Sequence, residues 1–106
     1  IHITQNIYWL NSTYIKQEIN PLSGDDMSQL SKDDLIKQLR GALQYVEETS
    51  QEISDKEIKR TVKFADVVVN KERIFYLMRD HMTHHRAECV LYLRLNNIKP
   101  PRYRGW

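Results

Sequence analysis

The stretch Asn70–Asn97, NKERIFYLMRDHMTHHRAECVLYLRLNN, decides the fold. It contains neither glycine nor proline, and Ile74, Met78, His81, His85, Glu88, Tyr92 and Leu95 follow one another at alternating steps of four and three. Such spacing returns to one side of an α-helix every two turns and marks the seam of a bundle helix. Asn70 is a good N-cap, and Asn97 can take the left-handed conformation that closes a helix, so the spacing predicts a helix over Lys71–Asn96. Pro100-Pro101 prevents its resumption. The seam is apolar at its ends and polar in the middle. An unpaired polar group facing inward costs a few kcal/mol, so His81 and His85 require a metal, a carboxylate or an open pocket.

Upstream, Ile3, Ile7, Leu10, Tyr14 and Ile15 fall on one stripe at helical spacing, predicting an amphipathic helix over residues 1–19. Asn20-Pro21 ends it, because the residue before a proline is pushed out of the helical region. Residues 22–30, rich in Ser, Gly and Asp, read as a loop. Ser31 can cap a second helix, with Asp34 three residues on and Asp33 favoured by the helix dipole. Leu35, Leu39, Leu43 and Val46 form its core stripe, running toward Ile53 and passing Gly41, which costs about 1 kcal/mol relative to alanine. Over residues 56–69, Val62 and Phe64 alternate with polar neighbours and Val67-Val68-Val69 follows; this predicts a short extended segment, a lone strand without a partner. Three amphipathic helices make an antiparallel bundle, and stripes this wide ask for a fourth neighbour.

Composition narrows the class. A chain of 106 residues with 41% hydrophobic and 28% charged residues is one globular domain, residues 1–106, large enough for a single core. A net charge of +2 is too small for electrostatic grip on nucleic acid, and the basic tail Lys99, Arg102 and Arg104 reads as solvated. One cysteine, Cys89, makes no internal disulfide, which fits a reducing, cytoplasmic setting. No apolar run is long enough for a membrane span. The chain opens at Ile1 without a methionine, already inside an apolar-periodic stretch, as though cut from something longer.

Positions four apart on a helix lie one above the other, about 6 Å along the axis, so His81 and His85 point the same way. Two imidazoles so placed can hold one divalent ion, each nitrogen about 2.0–2.1 Å from zinc. The glutamate that follows the first histidine in HExxH metalloproteases is absent here, where Met82 stands. Glu88, one turn on, is a candidate for a fourth ligand, an acceptor for an imidazole N–H, or a catalytic proton-transfer group. His2 in the first helix can complete a three-histidine site if the first and last helices are neighbours, leaving positions for water or substrate. A histidine pair at this spacing is also commonly just a surface or hydrogen-bonded pair. His84 reads as a surface or supporting residue, Cys89 as a small core filler, and Tyr8, Trp9 and Tyr14 as core and interface aromatics.

His81-Met82-Thr83-His84-His85-Arg86-Ala87-Glu88, then Tyr92-Leu93-Arg94, then Ile98-Lys99-Pro100-Pro101, resembles the closing helix and tail of the DinB-like (YfiT-like, damage-inducible) metal-binding bundles. Their usual pattern is a histidine, three residues, then His-Arg-Gly-Gln, a Tyr-Leu-Arg-like stretch and a Pro-Pro tail. His2-Ile3 with Tyr8-Trp9 is similar to that family's second helix, residues 31–55 to its third, and Val62–Val69 to its connector. The resemblance implies an all-α, up-down-down-up four-helix bundle, here lacking its first helix, which tends to form homodimers. It implies that His2, His81 and His85 bind a divalent metal, zinc or nickel. It also implies a metal-dependent enzyme acting on a small molecule, as thiol S-transferase or hydrolase, through a metal-bound thiolate from a low-molecular-weight thiol or a metal-bound water. The alternative is a non-catalytic dimeric bundle with a structural or vestigial metal. Ala87-Glu88 departs from the family's Gly-Gln and puts a potential charge beside the metal.

Overall fold

The computed structural model describes residues 1–24 and 26–102. They are mostly helical: α1 (His2–Leu10), α2 (Lys32–Glu52), the single turn α3 (Asp55–Ile58) and α4 (Lys71–Leu95), with a two-stranded sheet of β1 (Thr61–Phe64) and β2 (Val67–Asn70). The sheet corrects the all-α expectation and the reading of a strand without a partner. Thr61 pairs with Asn70, Val62 with Val69, Lys63 with Val68 and Phe64 with Val67 in an antiparallel hairpin. Its two-residue loop places Ala65 at φ +49°, a positive value that a tight hairpin turn demands and that glycine usually supplies. Val62 and Phe64 on one strand and Val67–Val69 on the other are the β-branched and aromatic residues that suit a pleated ribbon.

α2 and α4 begin where their caps predict. The Ser31 hydroxyl accepts from the Asp34 N–H and the Asn70 side-chain Oδ1 from the Arg73 N–H. Asn97 closes α4 at φ +55°, with the Ile98 N–H reaching back to the Leu93 carbonyl at 2.9 Å; this is the left-handed ending foreseen for it.

The first helix ends earlier than Asn20-Pro21. After Leu10 it widens into a π-helical turn over Asn11–Lys16, and Gln17 terminates it at φ +57°. The widened turn carries Asn11 and Ser12 inward, both fully buried. Asn11 Nδ2 donates to Thr49 Oγ1 at 2.8 Å, and that hydroxyl donates to the Tyr45 carbonyl at 2.8 Å. A turn of this kind frees backbone carbonyls, and Ile15 O is taken by the buried ammonium of Lys71 at 2.6 Å. Lys71 stands at the first turn of α4, where a cation opposes the helix dipole; the carboxylate of Glu57 beside it offsets that cost. The Lys71 hydrogen bond is the main cause holding the Glu57 carboxyl below its ordinary range, followed by that of Arg60.

α1 lies between the two long helices and packs on both. His2 meets His81, whereas Leu10 and Ile15 share a core with Ile74, Met78 and Val62, so α1 and α4 run antiparallel as expected. α1 and α2 do not: Tyr8 stacks on Tyr45 and Asn11 reaches Thr49, so both helices advance in the same direction. The connection over residues 17–31 makes this possible, because it is long enough to return along the bundle. It contains a short 3₁₀ turn, Met27–Gln29, whose Met27 is buried.

The predicted seams are only partly inside. Leu43 is 42% exposed, and Tyr92 and Leu95 are 64% and 69% exposed. α4, at about 1.5 Å per residue, outruns the shorter α1, so its end beyond Glu88 is largely exposed. The radius of gyration, 15.4 Å, accordingly exceeds the roughly 13 Å of a compact chain this size. Among the described residues, no helix is long and apolar enough to cross a membrane.

Gly41 has a packing reason. A Cβ built there would lie 2.9 Å from the Tyr8 hydroxyl oxygen, and Tyr8 is held by its stack on Tyr45 at 5.5 Å. Gly41→Ala is therefore expected to yield less than the roughly 1 kcal/mol that helix propensity offers. In a Tyr8→Phe background, which removes the obstructing oxygen, the same change recovers most of that gain. Urea melts of the four-member mutant cycle measure the difference, and additive effects contradict this packing.

Candidate metal centre

His2 opens α1, and His81 and His85 stand one turn apart in the middle of α4. Antiparallel packing of the two helices brings the three rings together. His2 Nε2 lies 3.1 Å from His81 Nε2, and His81 Nε2 lies 3.1 Å from His85 Nε2. One nitrogen from each ring falls within 4.8 Å of the others. His2 is exposed at its helix end, whereas His81 and His85 are partly buried.

Protons alone do not satisfy this arrangement. His85 Nδ1 is 2.7 Å from Glu88 Oε2, a distance that places the imidazole proton on Nδ1 and leaves the Nε2 lone pair facing the cluster. His81 Nε2 then faces two other nitrogens. A single N–H makes one good hydrogen bond, and a single lone pair accepts one, so at least one of the two 3.1 Å contacts has none. A divalent cation at the common point satisfies all three. Nitrogens held at about 2.05 Å by a tetrahedral ion lie roughly 3.3 Å apart, and those of an octahedral face about 2.9 Å apart. The two spacings of 3.1 Å lie between these values, and the third, from His2 to His85, is within 4.8 Å.

Burial pushes the His81 imidazole below its ordinary range, with the neighbouring rings of His85, His2 and His84 adding to the effect in that order. This favours the neutral form of His81, the form in which an imidazole can ligate. Glu88 is held below the usual carboxylate range chiefly by its hydrogen bond from His85. Its other oxygen, Oε1, is 3.2 Å from His84 Nε2. Both carboxylate oxygens are thus occupied by imidazoles, and Glu88 orients His85 in the carboxylate–histidine manner typical of metal ligands. His84, His85 and Glu88 form a second close group, but there His85 offers the nitrogen already committed to Glu88.

Three buried side-chain polar atoms have no hydrogen-bond partner among the described residues: His81 Nδ1 in the cluster, Asn6 Oδ1 one turn after His2, and Asn11 Oδ1 in the widened turn. Asn6 escaped the sequence reading because asparagine is an ordinary helix-surface residue. The signal available was its position one turn after His2. Cys89, expected as a core filler, is exposed, because it lies on the part of α4 that outruns α1. Trp9 and Tyr14 cluster with Phe64, with ring centroids 5.2–6.2 Å apart, and Tyr8 sits against α2, as interface aromatics do. Lys99 and Arg102 are exposed, while Arg104 lies outside the described residues. Two open clefts, one along α2 from Arg40 to Gln51 and one beside Lys71, do not reach the histidines.

Comparison with family models, with curated proteins and with solved structures gives no match to this chain.

Proposed function

We propose that this chain forms the second, third and fourth helices of a DinB-like up-down-down-up bundle, and that His2, His81 and His85 hold one divalent cation, zinc or nickel. The observation that carries the reading is the convergence of three Nε2 atoms that hydrogen bonding alone leaves in conflict. The direction of the helices supports it: α1 and α2 parallel and α4 antiparallel are the last three of up-down-down-up. When bound, the cation supplies Lewis acidity that lowers the pKa of a thiol or a water at neutral pH. That chemistry suits a thiol S-transferase or hydrolase acting on an electrophilic small molecule. His81 and His85 supply neutral nitrogens from one rigid helix, His2 supplies the third from the solvent side, and Glu88 holds the His85 proton on Nδ1. Three protein nitrogens leave coordination positions for a substrate, as catalytic sites require.

Protein purified without a histidine tag is expected to bind about one equivalent of zinc or nickel, and His81→Ala and His85→Ala to lose it. Metal analysis after dialysis measures this, and unchanged stoichiometry in both variants eliminates the site.

A second reading, a non-catalytic homodimer with a structural metal, draws on the exposed Leu91, Tyr92, Leu95 and Ile98, an apolar surface of the kind that helical partners cover. Chelator added during thermal melts separates the two. A large drop in melting temperature, without turnover across a panel of thiols and electrophiles, supports the structural role; turnover lost on chelation supports the enzyme.

Because the His81 pKa is depressed in the folded metal-free protein, the unfolded chain binds the proton first. Stability is therefore full above the ordinary imidazole value of about 6.5 and falls as pH drops below it. His81→Gln removes this loss, so the melting temperature of the metal-free variant is expected to decline less between pH 7 and pH 5 than that of the parent.

A further inference from the structure

Of the three orphaned atoms, two belong to the half of the α1–α4 interface that holds the histidines, Asn6 Oδ1 and His81 Nδ1, and they are of complementary kinds. At 100° per residue, His2, Asn6, Trp9 and Leu10 fall within an arc of about 100° on α1. Its first and last members in sequence contact α4 and its surroundings: His2 lies against His81, and Leu10 shares a core with Ile74 and Met78. Asn6 lies between them along the axis and near the middle of the arc. The antiparallel register therefore sets Asn6 opposite the turn of α4 that links Met78 to His81. There its Oδ1 is buried without a donor, and His81 Nδ1 is buried without a partner.

Ligation settles which kind of atom His81 Nδ1 is. A neutral imidazole that gives the Nε2 lone pair to a cation carries its only proton on Nδ1, so Nδ1 becomes a donor. A buried donor and a buried acceptor on facing turns of two packed helices each remove the other's desolvation cost.

We propose that Asn6 is the positioning residue for His81, its Oδ1 accepting the Nδ1 proton through one water or after a side-chain rotation, since the two atoms are not hydrogen-bonded to each other in the structure; Glu88 plays the corresponding part for His85 by direct contact. This rests on the metal reading above. It gives each α4 ligand its own fixed acceptor: Glu88, a charged one from the same helix, for His85, and Asn6, a neutral one from the facing helix, for His81. The neutral acceptor ties His81 to α1, the helix that also contributes His2, so the ring orientation at the cation depends on how α1 sits on α4.

The test is zinc affinity, measured by competition with a chromophoric chelator for the parent, Asn6→Ala, the near-isosteric Asn6→Leu, Asn6→Asp and His81→Ala. Either acceptor-free variant that folds is expected to bind zinc about 10–100-fold more weakly, while Asn6→Asp, which keeps an acceptor, recovers at least the parent affinity. The visible absorption of the cobalt-loaded protein is expected to change in the acceptor-free variants and to return toward the parent's in Asn6→Asp. Zinc binding within twofold of the parent in a folded acceptor-free variant, alongside loss in His81→Ala, overturns the role of Asn6 and leaves the metal reading standing. Failure of Asn6→Asp to exceed the acceptor-free variants also overturns it. A parent that binds no zinc brings down the metal reading itself, and the role of Asn6 with it.

Discussion

The antiparallel seating of α1 on α4 is the constraint on which the rest of the structure depends. Leu10 and Ile15 from the first helix and its widened turn close with Ile74, Met78 and Val62 at one end. That apolar contact sets the register for everything farther along. Burying such side chains is worth about 1.5–3 kcal/mol each, whereas an apposition of three imidazoles is unfavourable by itself. The core thus holds together a polar cluster that does not hold itself. The cluster lies at the outer end of the interface, where His2 is exposed and ions have access.

Polar groups pin that interface as well. The π-helical turn at Asn11–Lys16 lets Asn11 bond to Thr49 and frees the Ile15 carbonyl for Lys71. Helix α1 is thereby tied to α2 through an amide and to α4 through a buried ammonium, and Glu57 draws α3 into the same network. Such groups are costly when unpaired and directional when paired. They fix where the first helix ends and how it is rotated, and so which of its side chains face the histidines.

The chemistry of the cluster follows from its two environments. Desolvation favours the neutral form of His81, while the hydrogen bond from His85 favours the ionised form of Glu88, which holds the proton of His85. One imidazole nitrogen is thus left unprotonated by burial and the other by a carboxylate. The exposed apolar residues on the second half of α4 belong to a different feature, the length by which that helix exceeds its neighbour.

Much of this was legible in single residues. The seam of Ile74, Met78, His81 and His85, the caps Ser31, Asn70 and Asn97, and the convergence of His81 with His85 follow from 3.6-residue periodicity and local hydrogen bonding, which act over a few positions of the chain. The hairpin partner of β1, the π-helical turn and the exposure of Leu43, Tyr92, Leu95 and Cys89 were not legible, because each depends on which elements meet and how far each extends; the parallel run of α2 was implied by the family resemblance alone and not by periodicity. The same division runs through the candidate site. The spacing of four between His81 and His85 is a local property of the helix. The pairing of Glu88 with His84 and His85, four and three positions before it, is likewise local, whereas the arrival of His2 beside them and the burial of Asn6 exist only once two helices distant in sequence are pressed together by their apolar faces.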